Sequence, residues 1–185
     1  MNLYSRCWIK MFNLFISSKR VLINMFVPLV SIGNRTIVES NVILRSQYGG
    51  TIMIGNDCYI SSGAIMLTHG GDIKIGNHST INPYTIIYGQ GGVKIGSGVR
   101  IAAHCAIVPS NHCYDNPDEF IFKQGLSKCG IVIEDDVWLG SGVKVLDGVT
   151  IKKGCVIGAN AVVTHSTDEY GVYVGVPARK IKSRK

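Results

Sequence analysis

The stretch IEDDVWLGSGVKVLDGVTIKKGCVIGANAVV, residues 133–163, repeats a pattern of six residues. An aliphatic residue recurs at every sixth position, and a smaller apolar residue follows it four places later. The first set is Ile133, Leu139, Val145, Ile151, Ile157 and Val163, and the second is Val137, Val143, Val149, Cys155 and Ala161. A period of six fits neither the 3.6 residues of a helical turn nor the alternation of one long strand. It predicts short extended segments joined by tight corners.

The same pattern closes into a triangular coil and recurs, with interruptions, through the earlier chain. Three six-residue segments make one turn of about 18 residues, with the first aliphatic residue of each segment pointing inward. Because one coil buries little apolar surface, the core must come from stacking coil upon coil. Ile54, Ile75, Ile95 and Ile133 begin equivalent units at intervals of 21, 20 and 38 residues. The last interval predicts one turn followed by a loop excursion at residues 112–130, where the six-residue pattern is missing.

Composition and charge narrow the class of protein. The chain has 185 residues, of which 17% are charged and 22 are glycine, and its mean hydropathy is positive. These values exclude a disordered or collagen-like protein. The net charge of +7 could suit nucleic acid, an anionic membrane surface or a phosphorylated small molecule. Much of the excess lies near the two ends, so a diffuse nucleic-acid-binding stripe is not indicated.

The six cysteines and the apolar N-terminus bear on the location of the protein. There is no C-x-x-C pair and no clear secretion signal, which favours reduced thiols in the cytoplasm. Residues 1–30 are apolar but are interrupted by polar and basic residues, so no run reaches the ~20 residues that a spanning helix needs. A helix that packs on its own domain or on a partner subunit, and a helix that lies on the inner face of the membrane, both stay open.

The hexapeptide pattern resembles that of the hexapeptide-repeat acyltransferases over roughly residues 32–180. The resemblance implies an all-β fold, a left-handed parallel β-helix, whereas the spacing by itself supplies only the triangular coil. We therefore divide the chain into an apolar, helical extension at 1–30, the β-helix with its excursion at 31–166, and a basic C-terminal tail at 167–185. A solenoid alone does not define an activity, so function has to be argued from side chains that coil packing does not require.

His112 lies inside the excursion, in the run SNHCYDNP at residues 110–117. An imidazole titrates near neutral pH and can act as a general base, although an exposed loop histidine needs no function. This run, followed by VIEDDVWLG at 132–140, resembles the maltose, galactoside and related sugar O-acetyltransferases. The resemblance implies that His112 is the catalytic base. Three other histidines stand at repeat or corner positions without a matched role: His69, His78 and His104.

Trp138, Asn82 and Gln90 are candidate substrate contacts. Trp138 follows the inward Val137 and should project outward, either to pack against another subunit or to wall a ligand groove. The resemblance supports both, because family members are trimers with active sites between subunits. It also implies that Asn82 contacts substrate and stabilises the oxyanion, although an asparagine can equally turn a corner. Gln90 stands where some relatives have an acidic sugar-binding residue, which leaves the acceptor open.

The final coils and the tail resemble the coenzyme A segment of the same enzymes. The resemblance implies that backbone amides meet the pantetheine arm and that basic residues meet the phosphates, for which guanidinium and ammonium groups are suited. The residues implied in cofactor binding are Trp138, Ser141, Ala159, Thr164, His165, Arg179 and Lys182. His165 stands where relatives often have a lysine, and the last three residues are expected to be a solvated basic end.

Together these features predict direct acetyl transfer from acetyl-CoA to a sugar hydroxyl, in surface polysaccharide (O-antigen or capsule) biosynthesis, without a metal. An N-acetyltransferase acting on a nucleotide sugar is the enzymatic alternative, and a non-enzymatic structural β-solenoid is the alternative of another class. A zinc hydratase of the carbonic anhydrase kind is disfavoured, because the histidine spacing does not fit its three ligands. Cys113 adjoins His112, but nothing orders it as a nucleophile. The expected partners are acetyl-CoA, a carbohydrate acceptor and two further copies in a homotrimer, with no nucleic acid.

Overall fold

The computed structural model describes residues 29–184, and within them the chain forms short β-strands and one 3₁₀ turn at Ile121–Lys123. In chain order the strands are β1 (Val30–Ile32), β2 (Ile37–Val38), β3 (Ile43–Arg45), β4 (Ile52–Ile54), β5 (Tyr59–Ile60), β6 (Ile65–Leu67), β7 (Ile73–Ile75), β8 (Thr80–Ile81), β9 (Ile86–Tyr88), β10 (Val93–Ile95), β11 (Arg100–Ile101), β12 (Ala106–Ile107), β13 (Asn111–His112), β14 (Leu126–Ser127), β15 (Ile131–Ile133), β16 (Trp138–Leu139), β17 (Lys144–Val145), β18 (Thr150–Ile151), β19 (Val156–Ile157), β20 (Val162–Val163), β21 (Gly171–Val174) and β22 (Arg179–Ser183).

Three sheets form the sides of a triangular prism. Sheet A is ordered β1-β4-β7-β10-β15-β18, sheet B is ordered β2-β5-β8-β11-β16-β19-β21-β22, and sheet C is ordered β3-β6-β9-β12-β17-β20. Each coil contributes one strand to each sheet, and the pairing between coils is parallel throughout the prism. The six strands of sheet A correspond to six coils. The triangular coil predicted from the six-residue pattern, and the parallel pairing that the family resemblance implied, are both confirmed.

The core of the prism is the stack of inward aliphatic residues. Ile87, Ile107 and Val145 lie directly above one another in sheet C, and each is 0% exposed. Ile101 and Leu139 form the corresponding stack in sheet B and are also 0% exposed. Every inward side chain therefore packs against the coils before and after it, which is why the apolar code must repeat in every coil.

Glycine follows the inward isoleucine in several coils because the backbones of successive coils pass too close for a side chain. A Cβ on Gly76 would lie 2.6 Å from the carbonyl carbon of Gly96 in the next coil. Contacts under 3.0 Å are essentially never made by real Cβ atoms, so only glycine fits at this corner. The "aliphatic-glycine" signature of the sequence is thus a consequence of the close spacing of successive coils at this corner.

The excursion leaves the prism between sheet C and sheet A. The chain completes one turn at β12, runs outward from residue 108 to residue 130, and re-enters sheet A at β15. The register continues as if the coil had never been interrupted, since Val93 pairs with Ile131 and Ile95 pairs with Ile133. One turn followed by a long excursion was the prediction, and it is confirmed.

The C-terminal segment belongs to the sheets rather than to a separate tail. The parallel pairing runs past residue 166, because Val156 of β19 pairs with Val172 of β21. The chain then turns back, and β22 pairs antiparallel with β21. Arg184, which we expected to be solvated, donates hydrogen bonds from Nη1 to Asp136 Oδ2 at 3.1 Å and to the Gly154 carbonyl at 2.7 Å. Arg184 stays exposed, as expected, but the antiparallel strand also brings its guanidinium group back to the prism.

The predicted N-terminal extension falls almost entirely on residues 1–28, which lie outside the described residues. The first described strand, β1, begins at Val30, one residue before the start that we assigned to the β-helix. Among residues 29–184 there is no helix long and apolar enough to cross a membrane.

We predict that Ile133→Ala lowers the free energy of unfolding by about 2–5 kcal/mol, because it removes buried methyl groups and leaves a cavity in the stack. The control is Val132→Ala on the same strand, whose half-buried side chain points outward and whose loss should cost about 1 kcal/mol or less. Urea unfolding of both variants measures the difference. Equal losses would contradict the assignment of inward and outward positions.

Candidate active site

The candidate residues lie on two of the three corners of the prism and on the strands of sheet B. The corner between sheets A and B, for example residues 96–99, is called the AB corner. Residues 102–105 and their equivalents form the BC corner, and residues 89–92 and their equivalents form the CA corner. The excursion with His112 leaves from the CA corner.

His112 is held on a two-stranded arm that projects from the coil. Its strand, β13, pairs antiparallel with β14, so that His112 faces Leu126 and Asn111 faces Ser127. The arm is closed further out by a hydrogen bond from the Cys113 amide to the Gly125 carbonyl at 3.1 Å. The His112 side chain is exposed, and no group within residues 29–184 forms a hydrogen bond with its imidazole. Both ring nitrogens are therefore open to a ligand.

Asn82 lies at the BC corner, two coils before the coil that contains Ser141. Its backbone amide and its side-chain Nδ2 both donate to the Ile101 carbonyl, at 3.0 and 2.8 Å. A side-chain amide carries two N–H donors, so one hydrogen of Asn82 is left over for a ligand. Asn82 is thus both a corner residue and a group with an uncommitted donor.

Trp138 projects outward from sheet B, as predicted. It is the first residue of β16, stands between Arg100 and Val156 of the neighbouring strands, and is 54% exposed. An open hollow of about 380 Å³ beside it is lined by Gly98, Arg100, Asp136, Val137, Trp138, Val156 and Arg184. A large indole exposed on a flat sheet is typical of an interface or a ligand groove.

Gln90, Thr164 and His165 lie at the CA corner, the same corner as the excursion. The Gln90 Oε1 atom is buried, and it lacks a hydrogen-bond partner within the part of the chain that the structure describes. Thr164 Oγ1 and His165 Nδ1 are 2.8 Å apart and form a hydrogen bond. These three residues are separated from Asn82 by the whole width of sheet C.

Ser141 and Ala159 lie at the BC corner in consecutive coils. The Asn160 amide donates to the Ser141 carbonyl at 2.8 Å, and Ser141 Oγ donates to the Ala103 carbonyl at 2.9 Å. Both Ser141 and Ala159 are exposed, so this corner presents backbone groups along a line toward the C-terminal end of the prism.

The basic residues of β22 differ in whether a carboxylate neutralises them. Lys180 Nζ lies 2.9 Å from Asp168 Oδ2, and this hydrogen bond raises the pKa of Lys180 and lowers the pKa of Asp168. Arg184 pairs with Asp136 at 3.1 Å. Arg179 and Lys182 have no carboxylate within ion-pair distance among the described residues. They are the cations of this strand that remain available to an anionic ligand.

The structure therefore brings the predicted site residues together in two groups, not one. Along the BC corner and the adjoining face of sheet B stand Asn82, Trp138, Ser141, Ala159, Arg179 and Lys182. Along the CA corner stand Gln90, His112, Thr164 and His165. Sheet C separates the two groups within one chain, so the pattern of the coil alone does not assemble a single site.

Asp147 is a residue of this region that sequence analysis did not single out. It lies at the CA corner one coil after the excursion, and its carboxylate accepts hydrogen bonds from the Cys129 amide, the Gly130 amide and Ser127 Oγ. A charged residue at a variable repeat position carries no signal of such contacts, because their donors lie 17 to 20 residues away in the sequence. No group of three potential metal ligands occurs within residues 29–184.

Comparison with known proteins gives a family match and several long alignments. Residues 130–165 match the family described as bacterial transferase hexapeptide (six repeats). The lipopolysaccharide biosynthesis protein WbbJ of Escherichia coli K12, named as an O-acetyl transferase, is 30% identical over 88% of this chain and 86% of its own length. The dTDP-4-amino-4,6-dideoxy-D-glucose acyltransferase of Escherichia coli is 30% identical over 85% of this chain and 86% of its own length.

One relative is much longer than this chain. A Mycobacterium tuberculosis protein named as an acetyltransferase is 33% identical over 77% of this chain, but the chain spans only 46% of its length. The shared part is therefore a portion of that protein.

Solved structures resemble the whole described prism. AntD, an N-acyltransferase from Bacillus cereus in complex with dTDP-4-amino-4,6-dideoxyglucose and coenzyme A, is 26% identical over 85% of this chain and 84% of its own, with a TM-score of 0.73. The polysialic acid O-acetyltransferase OatWY is 26% identical over 83% of this chain and 74% of its own, with a TM-score of 0.70.

These similarities to known proteins support the left-handed winding that the sequence resemblance implied for the parallel coil. The alignments with WbbJ and with the dTDP-sugar acyltransferase cover most of both proteins, and the family match falls on the coils after the excursion. The chain belongs to the hexapeptide-repeat acyltransferases.

Proposed function

We propose that this chain is an acetyl-CoA-dependent O-acetyltransferase that acts on a sugar hydroxyl in surface polysaccharide biosynthesis. The observation that carries the proposal is His112, an exposed imidazole on an arm that leaves the coil where the regular repeat is broken. A relative named as a lipopolysaccharide O-acetyl transferase and a structural neighbour that acetylates polysialic acid support the acceptor class.

His112 acts as a general base in direct acyl transfer. Its Nε2 takes the proton of the acceptor hydroxyl, the oxygen attacks the thioester carbonyl, and the tetrahedral intermediate collapses with loss of the CoA thiolate. The uncommitted N–H of Asn82, or a backbone amide, donates to the oxyanion. No covalent enzyme intermediate forms on Cys113, since no base among the described residues hydrogen-bonds to its thiol.

Coenzyme A lies along the BC corner in this proposal. Ser141 and Ala159 present the line of exposed groups that the pantetheine arm follows, next to Trp138. Arg179 and Lys182 stand at the C-terminal end of that line without a carboxylate partner, where the phosphates need cations. Thr164 and His165 stand across sheet C and would meet the same coenzyme A molecule from a second copy.

The active site is shared between copies of the chain in a homotrimer. The supporting observation is the separation of the two residue groups by sheet C, which places His112 and Asn82 on different corners. The outer row of sheet C is also apolar over four consecutive coils, with Ile43, Ile65, Ile86 and Ala106 in register. The outer row of sheet A carries Lys74 and Lys94 instead. An apolar outer face of this extent is typical of a surface covered by another subunit.

An amine of a nucleotide-linked sugar is the second candidate acceptor. The specific support is the E. coli acyltransferase of dTDP-4-amino-4,6-dideoxy-D-glucose, together with AntD, whose structure contains the same aminosugar nucleotide and coenzyme A. Both reactions use the same base and the same donor. Mild alkali distinguishes the products, because it removes an O-acetyl ester and leaves an N-acetyl amide.

His112→Ala should lower kcat by about 10²–10⁴-fold, because general-base catalysis contributes a factor of this size. The KM for acetyl-CoA should stay within about twofold, since the imidazole acts on the acceptor proton. Release of CoA thiol and the mass of the product measure the reaction. The control is His78→Ala at the AB corner, an exposed histidine outside both groups of candidate residues, and this variant should keep wild-type activity. Full activity in His112→Ala would show that the mechanism is wrong.

Mixing two inactive variants tests the shared site. In trimers assembled from equal amounts of His112→Ala and Asn82→Ala chains, about a quarter of the sites should combine an intact His112 and an intact Asn82. Activity should therefore return to about a quarter of wild type if the two residues come from different copies. A site made within one chain predicts no recovery, and light scattering gives the oligomeric state directly.

Arg179→Gln and Lys182→Gln should each raise the KM for acetyl-CoA by about five- to tenfold, which corresponds to about 1–1.4 kcal/mol, the size of one exposed hydrogen bond. Lys180→Gln is the control on the same strand, because Lys180 is already paired with Asp168. Steady-state kinetics at saturating acceptor measure all three. An effect of Lys180→Gln as large as the others would contradict this path for coenzyme A.

A further inference from the structure

The return arm of the excursion is tied to the coil by one carboxylate. Asp147 Oδ1 accepts from the backbone amides of Cys129 and Gly130, each at 2.9 Å. Asp147 Oδ2 accepts from Ser127 Oγ at 3.0 Å and shares the Cys129 amide at 3.1 Å. Both oxygens of the group are therefore occupied by donors from the excursion.

These hydrogen bonds connect directly to the strand that holds His112. Ser127 belongs to β14, and β14 pairs with β13 so that Ser127 faces Asn111 and Leu126 faces His112. A shift of Ser127 consequently moves the strand pair on which the imidazole is carried. Among the described residues no hydrogen bond or ion pair joins Asp147 to His112.

The outer part of the arm is held together by hydrogen bonds of Gln124 with Asn116 and Glu119, but these bonds lie within the arm and do not reach the coil. The tip carries Phe120, Ile121 and Phe122, which are 71%, 53% and 73% exposed, and Leu126 is exposed as well. At the base, Pro109 and Ser110 are buried, and the Gly148 amide donates to the Gly130 carbonyl at 2.8 Å. A segment with so little buried apolar surface depends on hydrogen bonds for its order, and bonds to a charged acceptor are the strong ones.

We propose that Asp147 is a positioning residue, which sets the angle of the His112 arm relative to the coil and so places the imidazole against the acceptor hydroxyl. The inference rests on the proposed function of His112 as general base. Asp147 would affect the rate by fixing the position of His112, because displacement of a catalytic group by about 1 Å can lower the rate by about 10²-fold.

The test compares Asp147→Ala with Asp147→Asn in the full-length chain. Alanine removes every acceptor, and kcat should fall by about 30- to 100-fold while the KM for acetyl-CoA stays within about twofold. Asparagine keeps Oδ1 for the two backbone amides and can donate from Nδ2 to Ser127 Oγ. Asp147→Asn should therefore recover activity to within about fivefold of wild type.

Hydrogen exchange gives a readout that does not depend on activity. In Asp147→Ala the amides of residues 108–130 should exchange faster, whereas the amides in the strands of sheets A, B and C should keep their wild-type protection. Ser127→Ala removes only the Oδ2 contact with the hydroxyl and should produce a smaller change in the same direction. Ser127→Ala and Asp147→Asn carry the test if Asp147→Ala does not fold.

Asp72→Ala is the matched control, because Asp72 has the same kind of role away from the excursion. It also lies at the CA corner, where its Oδ1 accepts from the Thr51 amide at 3.0 Å and from Thr51 Oγ1 at 2.7 Å. Loss of Asp72 should leave kcat and the exchange of residues 108–130 unchanged.

Two results overturn the positioning role. Wild-type kcat in Asp147→Ala, alongside an inactive His112→Ala, would reject it while leaving the proposed function intact. An equal loss of kcat in Asp72→Ala and Asp147→Ala would assign the effect to general stability of the corner. Full activity in His112→Ala would instead reject the proposed function, and hydrogen exchange would still report whether Asp147 holds the arm.

Discussion

Stacking of coil on coil at one strand spacing is the constraint on which the rest of the structure depends. Parallel strands pair at about 4.8 Å, so each inward side chain has to fill the space between the coils above and below it. Ile87, Ile107 and Val145 satisfy this in sheet C, and Gly76 shows how close the backbones come at a corner. No single coil is stable without its neighbours, and the six-residue code is the result.

The same constraint decides where the chain can carry a function. Strand positions cannot accept extra residues, because an insertion would shift every inward side chain out of register. Corners can accept them, and the CA corner does so in several coils: at residues 46–51, 68–72 and 89–92, and in the excursion. The register of β10 with β15 shows that even the excursion leaves the stack undisturbed. His112 can therefore stand outside the packed core while its arm starts from a rigid edge.

Much of the fold could be predicted because each coil repeats the same local rule. The inward stack, the outward Trp138 and the excursion after one turn all followed from the period of six. The boundary at residue 166 did not hold as the end of the paired strands, since β21 continues sheet B to Val174 without the aliphatic-glycine signature. The contacts of Asp147 and Arg184 could not be predicted from the sequence either, because each joins residues from different coils through side chains at variable positions.

The candidate site shows the same division between what is local and what is not. His112 and the basic C-terminal segment stood out in the sequence because they depart from what coil packing requires, whereas Asn82 was implied by the resemblance to the sugar O-acetyltransferases. Only the folded prism reveals that His112 and Asn82 occupy different corners, and that Lys180 is neutralised by Asp168 while Arg179 is not. The sequence by itself determined the coil, because inward packing repeats every six residues. The tertiary structure alone decided which side chains share a corner of the prism, because the corner that a residue occupies depends on how many residues are inserted between one sheet and the next.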